Sequence, residues 1–317
     1  MKNSIPKSAL HHWWPRAVQQ HWIHEGGINI LKPDGTTFKT TPGRFGAIKN
    51  AHILKLAGDD GSPWDQSFED FYSECDTQIH KIIQLAQGLP YEEYCKNTAA
   101  SDRAIGLNIS DEAICEMAKV LFCMIVRMPS HRQKIAGTVE GIFQRGGSQH
   151  DYEADKHIIN VNVFELTRTV QAQNHLNGKM TFLRDREKRF VMGDGVYNNL
   201  HVSSNPLSNF RCVYPLTPEY AVLYDQPGSC VPFPRVLTLD LSRADVEAIN
   251  DATRCYSKNF LAFIPPKPTK ISGFEEEEFM EYGWPDPFDR ICSEVAFAEP
   301  SRVINFKPPS AAPPSPA

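Results

Sequence analysis

The chain has 317 residues, 33 of them Lys or Arg against 38 Asp or Glu, for a net charge of −5, with 41% hydrophobic and 22% charged residues. A chain of this length and ordinary globular composition buries a sizeable core without disulfide or metal support. The acidic balance excludes attachment to nucleic acid by bulk charge, and no apolar run approaches the roughly 18 residues of a membrane helix, so no membrane association is expected.

Four of the eleven histidines and three of the five tryptophans fall between residues 11 and 24: His11, His12, Trp13, Trp14, His21, Trp22 and His24. Residues 27–41 alternate on either side of Pro33-Asp34-Gly35, which predicts a hairpin with Ile28 and Ile30 on one face. Ser62-Pro63-Trp64-Asp65 has the form of a helix start, and Trp64, Phe68, Phe71, Cys75, Ile79, Ile82 and Ala86 continue at helical spacing to Gly88 and Pro90. A second helix starts at Ser110, with Asp111 and Glu112 in its first turn. Its VLFCMIV segment is apolar all round, which predicts burial on most faces, and the helix stops at Pro129. Ser130 is the expected cap of a third helix ending at Gly146-Gly147, and a fourth covers about 157–177.

Short strands follow at 180–184, 189–193, 211–216, 220–224 and 236–241. Ser242 and Asp245 make a capping box for a helix ending near Tyr256. The acidic run at 275–278 reads as a solvated face. The helical middle (about 62–177) and the strand-rich part (about 179–241) are segregated. That predicts an α+β fold, a mostly antiparallel sheet packed against a central multi-helix layer, in a single domain over 1–300. Residues 301–317 are expected to form a disordered Pro-rich tail. The eight cysteines include no C-x-x-C pair and read as reduced, small hydrophobes. The first residues contain no apolar run of the kind a signal peptide needs, so a cytoplasmic location is expected.

Several of these elements resemble, in the same order, a bacterial family of unknown function, domain-of-unknown-function family 4238. The residues that carry the resemblance are His11-His12-Trp13-Trp14-Pro15, Arg127-Met128-Pro129-Ser130-His131-Arg132, Pro215-Leu216-Thr217-Pro218 with the AVLY strand, and Glu247-Ala248-Ile249-Asn250. They span about residues 10–265. Where members carry Ser-Asp-x-Pro, this chain reads Met192-Gly193-Asp194-Gly195 and keeps only the aspartate. The resemblance implies the order of the fold and a set of candidate positions, and no reaction.

Histidine is the side chain best suited to proton transfer near neutral pH, which makes His11 and His12 the candidate acid/base residues. They are also candidates for histidines that simply bond to backbone. His21 and His24 can share a helix face, but no H-x-x-x-H or H-E-x-x-H pattern exists, so no metal ligand is assigned and the cofactor is left open. Arg127 and Arg132 bracket a proline break. Their planar forks suit a carboxylate or phosphate, and a structural ion pair with Glu69 or Glu74 is the competing reading. Asp194, between two glycines, suits either close approach of a ligand or an Asx turn. Asn250 in mid-helix is expected to bond a neighbouring loop.

No phosphate loop or nucleophile elbow is present. The favoured expectation is therefore a cytosolic ligand-binding or regulatory module. Its small anionic ligand would be lined by Trp14, Glu74, Arg127 and Arg132. The alternatives are a hydrolase, with phosphodiesters as a candidate substrate class, that uses His11 or His12 with Asp194 or Glu74 and Arg127, and a purely structural protein.

Overall fold

A computed structural model describes residues 10–54, 66–96, 98–146, 152–173, 178–200, 210–226, 233–269, 274–279, 300 and 302–306. Strand β1 (Leu10–His12) leads through Pro15 into the short helix α1 (Arg16–Gln19), followed by a 3-10 turn, Gln20–Trp22. Strands β2 (Ile28–Leu31) and β3 (Thr37–Thr40) form the expected hairpin. Gly35 supplies the positive φ of its turn, +83°, and Asp34 Oδ1 accepts the Thr36 N–H at 2.8 Å. Strand β4 (Ala47–Lys49) pairs with β1, and β5 (Ile53–Leu54) pairs with β6 (Gln66–Ser67).

Helix α2 spans Glu69–Gly88. The start expected at residues 62–65 lies outside the described residues, and the extended Gln66–Ser67 places the first helical residue later, at Glu69. Pairing with β5 thus overrides the local capping signal. Next come α3 (Ala100–Arg103) and β7 (Ile105–Asn108), which the periodicity did not announce. Helix α4 (Asp111–Val126) is capped by Ser110, whose side chain accepts the Ala113 N–H. Every residue from Met117 to Val126 is buried, because α2, α5 (Pro129–Gly146) and α6 (Tyr152–Gln171) all pack against α4. Burying each large apolar side chain contributes about 1.5–3 kcal/mol, so α4 is the main helical contribution to the core. Pro129 is the first residue of α5. Ser130 therefore lies within the helix, and its backbone N–H donates to Asp194 O.

The remaining elements are β8 (Lys179–Arg184), β9 (Met192–Gly193), β10 (Arg211–Pro215), β11 (Tyr220–Asp225), β12 (Val236–Asp240), α7 (Arg243–Cys255), β13 (Leu261–Phe263) and β14 (Arg302–Asn305). The largest sheet has the order β10-β11-β8-β12-β7-β14. Its pairs are antiparallel except β12 with β8 and β14 with β7, which makes the sheet mixed. Consecutive residues of β12 are all buried, so both faces of the sheet are covered there. The Pro-Leu-Thr-Pro element is the β10–β11 turn, where Thr217 Oγ1 accepts the N–H groups of Glu219 and Tyr220. A second sheet has the order β3-β2-β13-β9.

The fold is α+β, with the long helices α2, α4, α5 and α6 grouped in the middle of the chain; β7, from among them, joins the largest sheet between β12 and β14. One cluster of buried apolar side chains runs from Trp13 to Ala262. Ordered sheet extends past residue 300, because β14 pairs with β7; the tail expected from 301 therefore contains a strand. Cys75, Cys95, Cys115, Cys123, Cys212 and Cys255 are all reduced, and four of them are buried. Asn250 does what mid-helix asparagine suggested: its Oδ1 accepts the Val191 N–H at 3.0 Å and its Nδ2 donates to Arg189 O at 2.8 Å. Among the described residues, no helix is long and apolar enough to cross a membrane.

Candidate functional site

Strand alternation separates the two adjacent histidines of β1. His11 faces inward and is buried, while His12 is half-buried with its Nε2 at 3.0 Å from Gly43 O. Trp14 is fully enclosed. Its ring packs on Trp13, Trp22 and Phe45 at centroid distances of 6.3, 6.0 and 6.4 Å, and Gln19 donates to its carbonyl at 2.7 Å. The Trp14 ring offers no surface to a ligand and acts as core. His21 sits on the 3-10 turn and His24 beyond it, so the shared helix face expected for this pair does not form.

His11 instead begins a stack of rings that the sequence spacing does not reveal. The His11 and His52 rings lie 4.8 Å apart, His52 and Tyr72 lie 4.2 Å apart, and the Arg127 guanidinium stands 5.0 Å from the Tyr72 centroid. These four residues come from β1, the β4–β5 turn, α2 and the C-terminal cap of α4. Glu69, the first residue of α2, closes the outer end of the stack. Its Oε2 accepts from His52 Nδ1 at 2.7 Å and lies 3.7 Å from His11 Nε2. Burial holds the His11 imidazole below its ordinary pKa against the pull of Glu69. Burial, reinforced by the positive charge of Arg127, pushes His52 down far enough to keep it neutral at physiological pH. Burial raises the Tyr72 phenol, so that side chain also stays neutral.

At the inner end, Arg127 is 1% exposed. Its Nη2 donates to Asp76 Oδ1 at 2.6 Å and contacts Met124 Sδ at 3.1 Å. Its Nε and Nη1 are buried without a hydrogen-bond partner among the described residues. The carboxylate expected here was Glu69 or Glu74. Helical phase decides otherwise, because Asp76 lies toward α4 while Glu74 points into solvent. Arg132 is also buried. Its Nη2 donates to Asn160 Oδ1, and the Asn160 amide in turn donates to Asn50 O and Ile53 O at 3.0 and 2.9 Å. Among the described residues Arg132 has no carboxylate partner, and burial lowers its pKa to about 10. Between the arginines, both ring nitrogens of His131 are buried and have no partner among the described residues, and burial lowers its pKa to about 3.

The Asp194 carboxylate does not join this group, although the Asp194 carbonyl accepts the Ser130 N–H beside the proline break. Its carboxylate accepts from the backbone N–H of Lys258 at 2.9 Å and of Asn259 at 3.1 Å, and from the Asn259 side chain. It is the acceptor for the turn between α7 and β13. Burial raises its pKa in spite of these bonds. The flanking glycines serve close approach of the chain to itself: a Cβ at Gly193 would stand 1.7 Å from Ser257 Oγ, and one at Gly195 would stand 1.6 Å from Tyr256 O. The fold thus brings together His11, Arg127 and Arg132 from the candidate set. It leaves Trp14 in the core, Glu74 on the surface, His12 on a loop carbonyl and Asp194 in a structural turn.

His52, Glu69, Tyr72 and Asp76 are the residues that sequence reasoning missed or misassigned. His52 is a lone histidine in a turn, and only the β1–β4 pairing brings it to His11. A separate apolar groove of about 260 Å³ lies between α2 and α4, lined in part by Ile82, Leu85, Met117, Val120 and Phe306. No protein-family model, no curated protein and no solved structure matches the chain.

Proposed function

We propose that this protein is a binding module for a small anionic ligand, held by the two arginines that bracket the Met128-Pro129 break and walled by the His11–His52–Tyr72 stack. One observation carries the reading: buried cationic donors exceed the acceptors around them. Among the described residues, Arg132 has only a neutral amide partner and two nitrogens of Arg127 have none. Buried guanidinium groups are normally matched by carboxylates, and their planar forks suit phosphate or carboxylate oxygens. Burial strengthens such contacts by lowering the local dielectric. Binding is favoured over hydrolysis because the Asp194 carboxylate is taken up by the N–H groups of Lys258 and Asn259, and Glu74 is exposed to solvent.

The test is calorimetric titration and thermal unfolding with inorganic phosphate, and separately with succinate, on the wild type, Arg132→Met and the surface control Lys81→Met. At a free concentration about 100 times Kd, a ligand that binds only the folded state stabilises it by about 2.7 kcal/mol. The wild type and Lys81→Met should bind one equivalent of at least one anion, and Arg132→Met should lose it. Absence of binding at millimolar anion, or unchanged affinity in Arg132→Met, overturns the reading.

A further inference from the structure

We infer that His11, His52 and Glu69 form a binding site for a divalent transition-metal ion of the zinc class. Each residue offers one ligand atom, and the three atoms lie within 4.8 Å of one another. Two imidazoles and one carboxylate are a donor set that zinc and related divalent ions take readily, and three protein ligands leave coordination positions for water or substrate.

Geometry supports the assignment. Ligand bonds of about 2.1 Å at tetrahedral angles put donor atoms about 3.4 Å apart. His11 Nε2 and Glu69 Oε2 stand at 3.7 Å, close to that spacing. His52 Nδ1 and Glu69 Oε2, at 2.7 Å, are drawn together by a hydrogen bond that an ion between them would replace. The two histidine side chains are held in the interior, 5% and 4% exposed, whereas the Glu69 side chain is 52% exposed and has room to withdraw. The outer end of the stack therefore combines two fixed ligands, one adjustable ligand and an opening to solvent.

A second observation points to a ligand. The buried His11 ring has no hydrogen bond among the described residues: Nδ1 is unpartnered, and the nearest approach of Nε2 to Glu69 exceeds hydrogen-bond reach. Nε2 thus faces the Glu69 carboxylate unengaged, on the side where a metal ion between the two would sit. For His52 to ligate through Nδ1, its proton moves to Nε2, a change of tautomer with no net proton release. The positive charges of Arg127 and Arg132 oppose a cation, and Glu69 and Asp76 offset them.

The experiment uses the full chain, freed of metal by a chelator and titrated with Co(II) and Zn(II). Wild type is compared with His11→Ala, His52→Ala, Glu69→Gln and the neighbouring control His12→Ala. One Co(II) per chain should bind, with an absorption spectrum of nitrogen and oxygen ligands and no sulfur charge-transfer band. That spectral signature separates this site from ions taken up by the cysteines. Zn(II) affinity should fall in His11→Ala, His52→Ala and Glu69→Gln by more than the roughly 10–100-fold loss typical of outer partners of a metal site, and should be unchanged in His12→Ala. Glu69→Gln keeps the inference testable if removal of a buried histidine prevents folding. Equal affinity across all five proteins, or a purely thiolate spectrum, overturns it. The anion reading turns on Arg132→Met titrated without metal and the metal site on Glu69→Gln titrated without anion, so this inference and the anion-binding reading fail separately.

Discussion

Arg127→Met removes a buried cation while keeping an unbranched side chain of comparable reach beside Met124. In the wild type the guanidinium donates to Asp76 at 2.6 Å and stands 5.0 Å from the Tyr72 centroid. Such a charge-assisted bond contributes about 1.5–3 kcal/mol and a partly desolvated cation–π contact about 0.5–2 kcal/mol. Against them stand the buried, unpartnered Nε and Nη1, at about 1–3 kcal/mol each. The opposing terms nearly cancel. The Asp76 side chain, 33% exposed, regains water once the arginine is gone. The variant should therefore unfold within about 2 kcal/mol of wild type, with its anion binding abolished. Urea unfolding followed by the fluorescence of the buried tryptophans measures the first, and phosphate or succinate titration the second. If Arg127 is instead an anchor whose donors are satisfied, breaking its pair costs about 3–5 kcal/mol. A loss of that size, with anion binding intact, would refute the argument from unpartnered donors.

Two further outcomes follow from individual groups. His131 has a folded-state pKa of about 3, set first by burial and then by Lys134 and Arg132, against about 6.5 when unfolded. The folded pKa is depressed, so the stability from neutral His131 is complete above about pH 6.5 and is lost as pH falls toward 3, at up to about 1.4 kcal/mol per pH unit. Between pH 7 and 5 the wild type should lose about 2 kcal/mol more than His131→Phe in urea unfolding, and parallel pH profiles would contradict this. Asp194→Ala leaves the N–H groups of Lys258 and Asn259 without their acceptor, and should cost about 2–4 kcal/mol while phosphate and Zn(II) affinities stay at wild-type values. A stable Asp194→Ala that fails to bind either ion would return Asp194 to the functional site.

The elements announced by local chemistry are the ones the sequence conveys well. Ser110 and the Ser242/Asp245 capping box mark helix starts, Pro33-Asp34-Gly35 marks a hairpin, and the unbroken apolarity of α4 predicts a helix enclosed by others; each depends on contacts within a few residues. The start of α2 is misread for the complementary reason, since pairing of Gln66–Ser67 with β5 keeps that segment extended. Strand β14 lies in a segment whose composition suggests a tail, and its order comes from the edge of β7.

The site divides along the same line. Residue order alone carries the α+β segregation, the concentration of histidine and tryptophan near the start, and the arginines on either side of a proline break. It could not sort them: Trp14 and Trp22 went to the core, while Asp194 went to a turn where glycines admit the chain's own backbone. Packing in three dimensions settles that His11 meets His52 and Glu69, and that Arg127 pairs with Asp76 rather than Glu74. Those contacts join residues some 17 to 58 positions apart through strand pairing and helix packing, and local spacing carries no record of such closures.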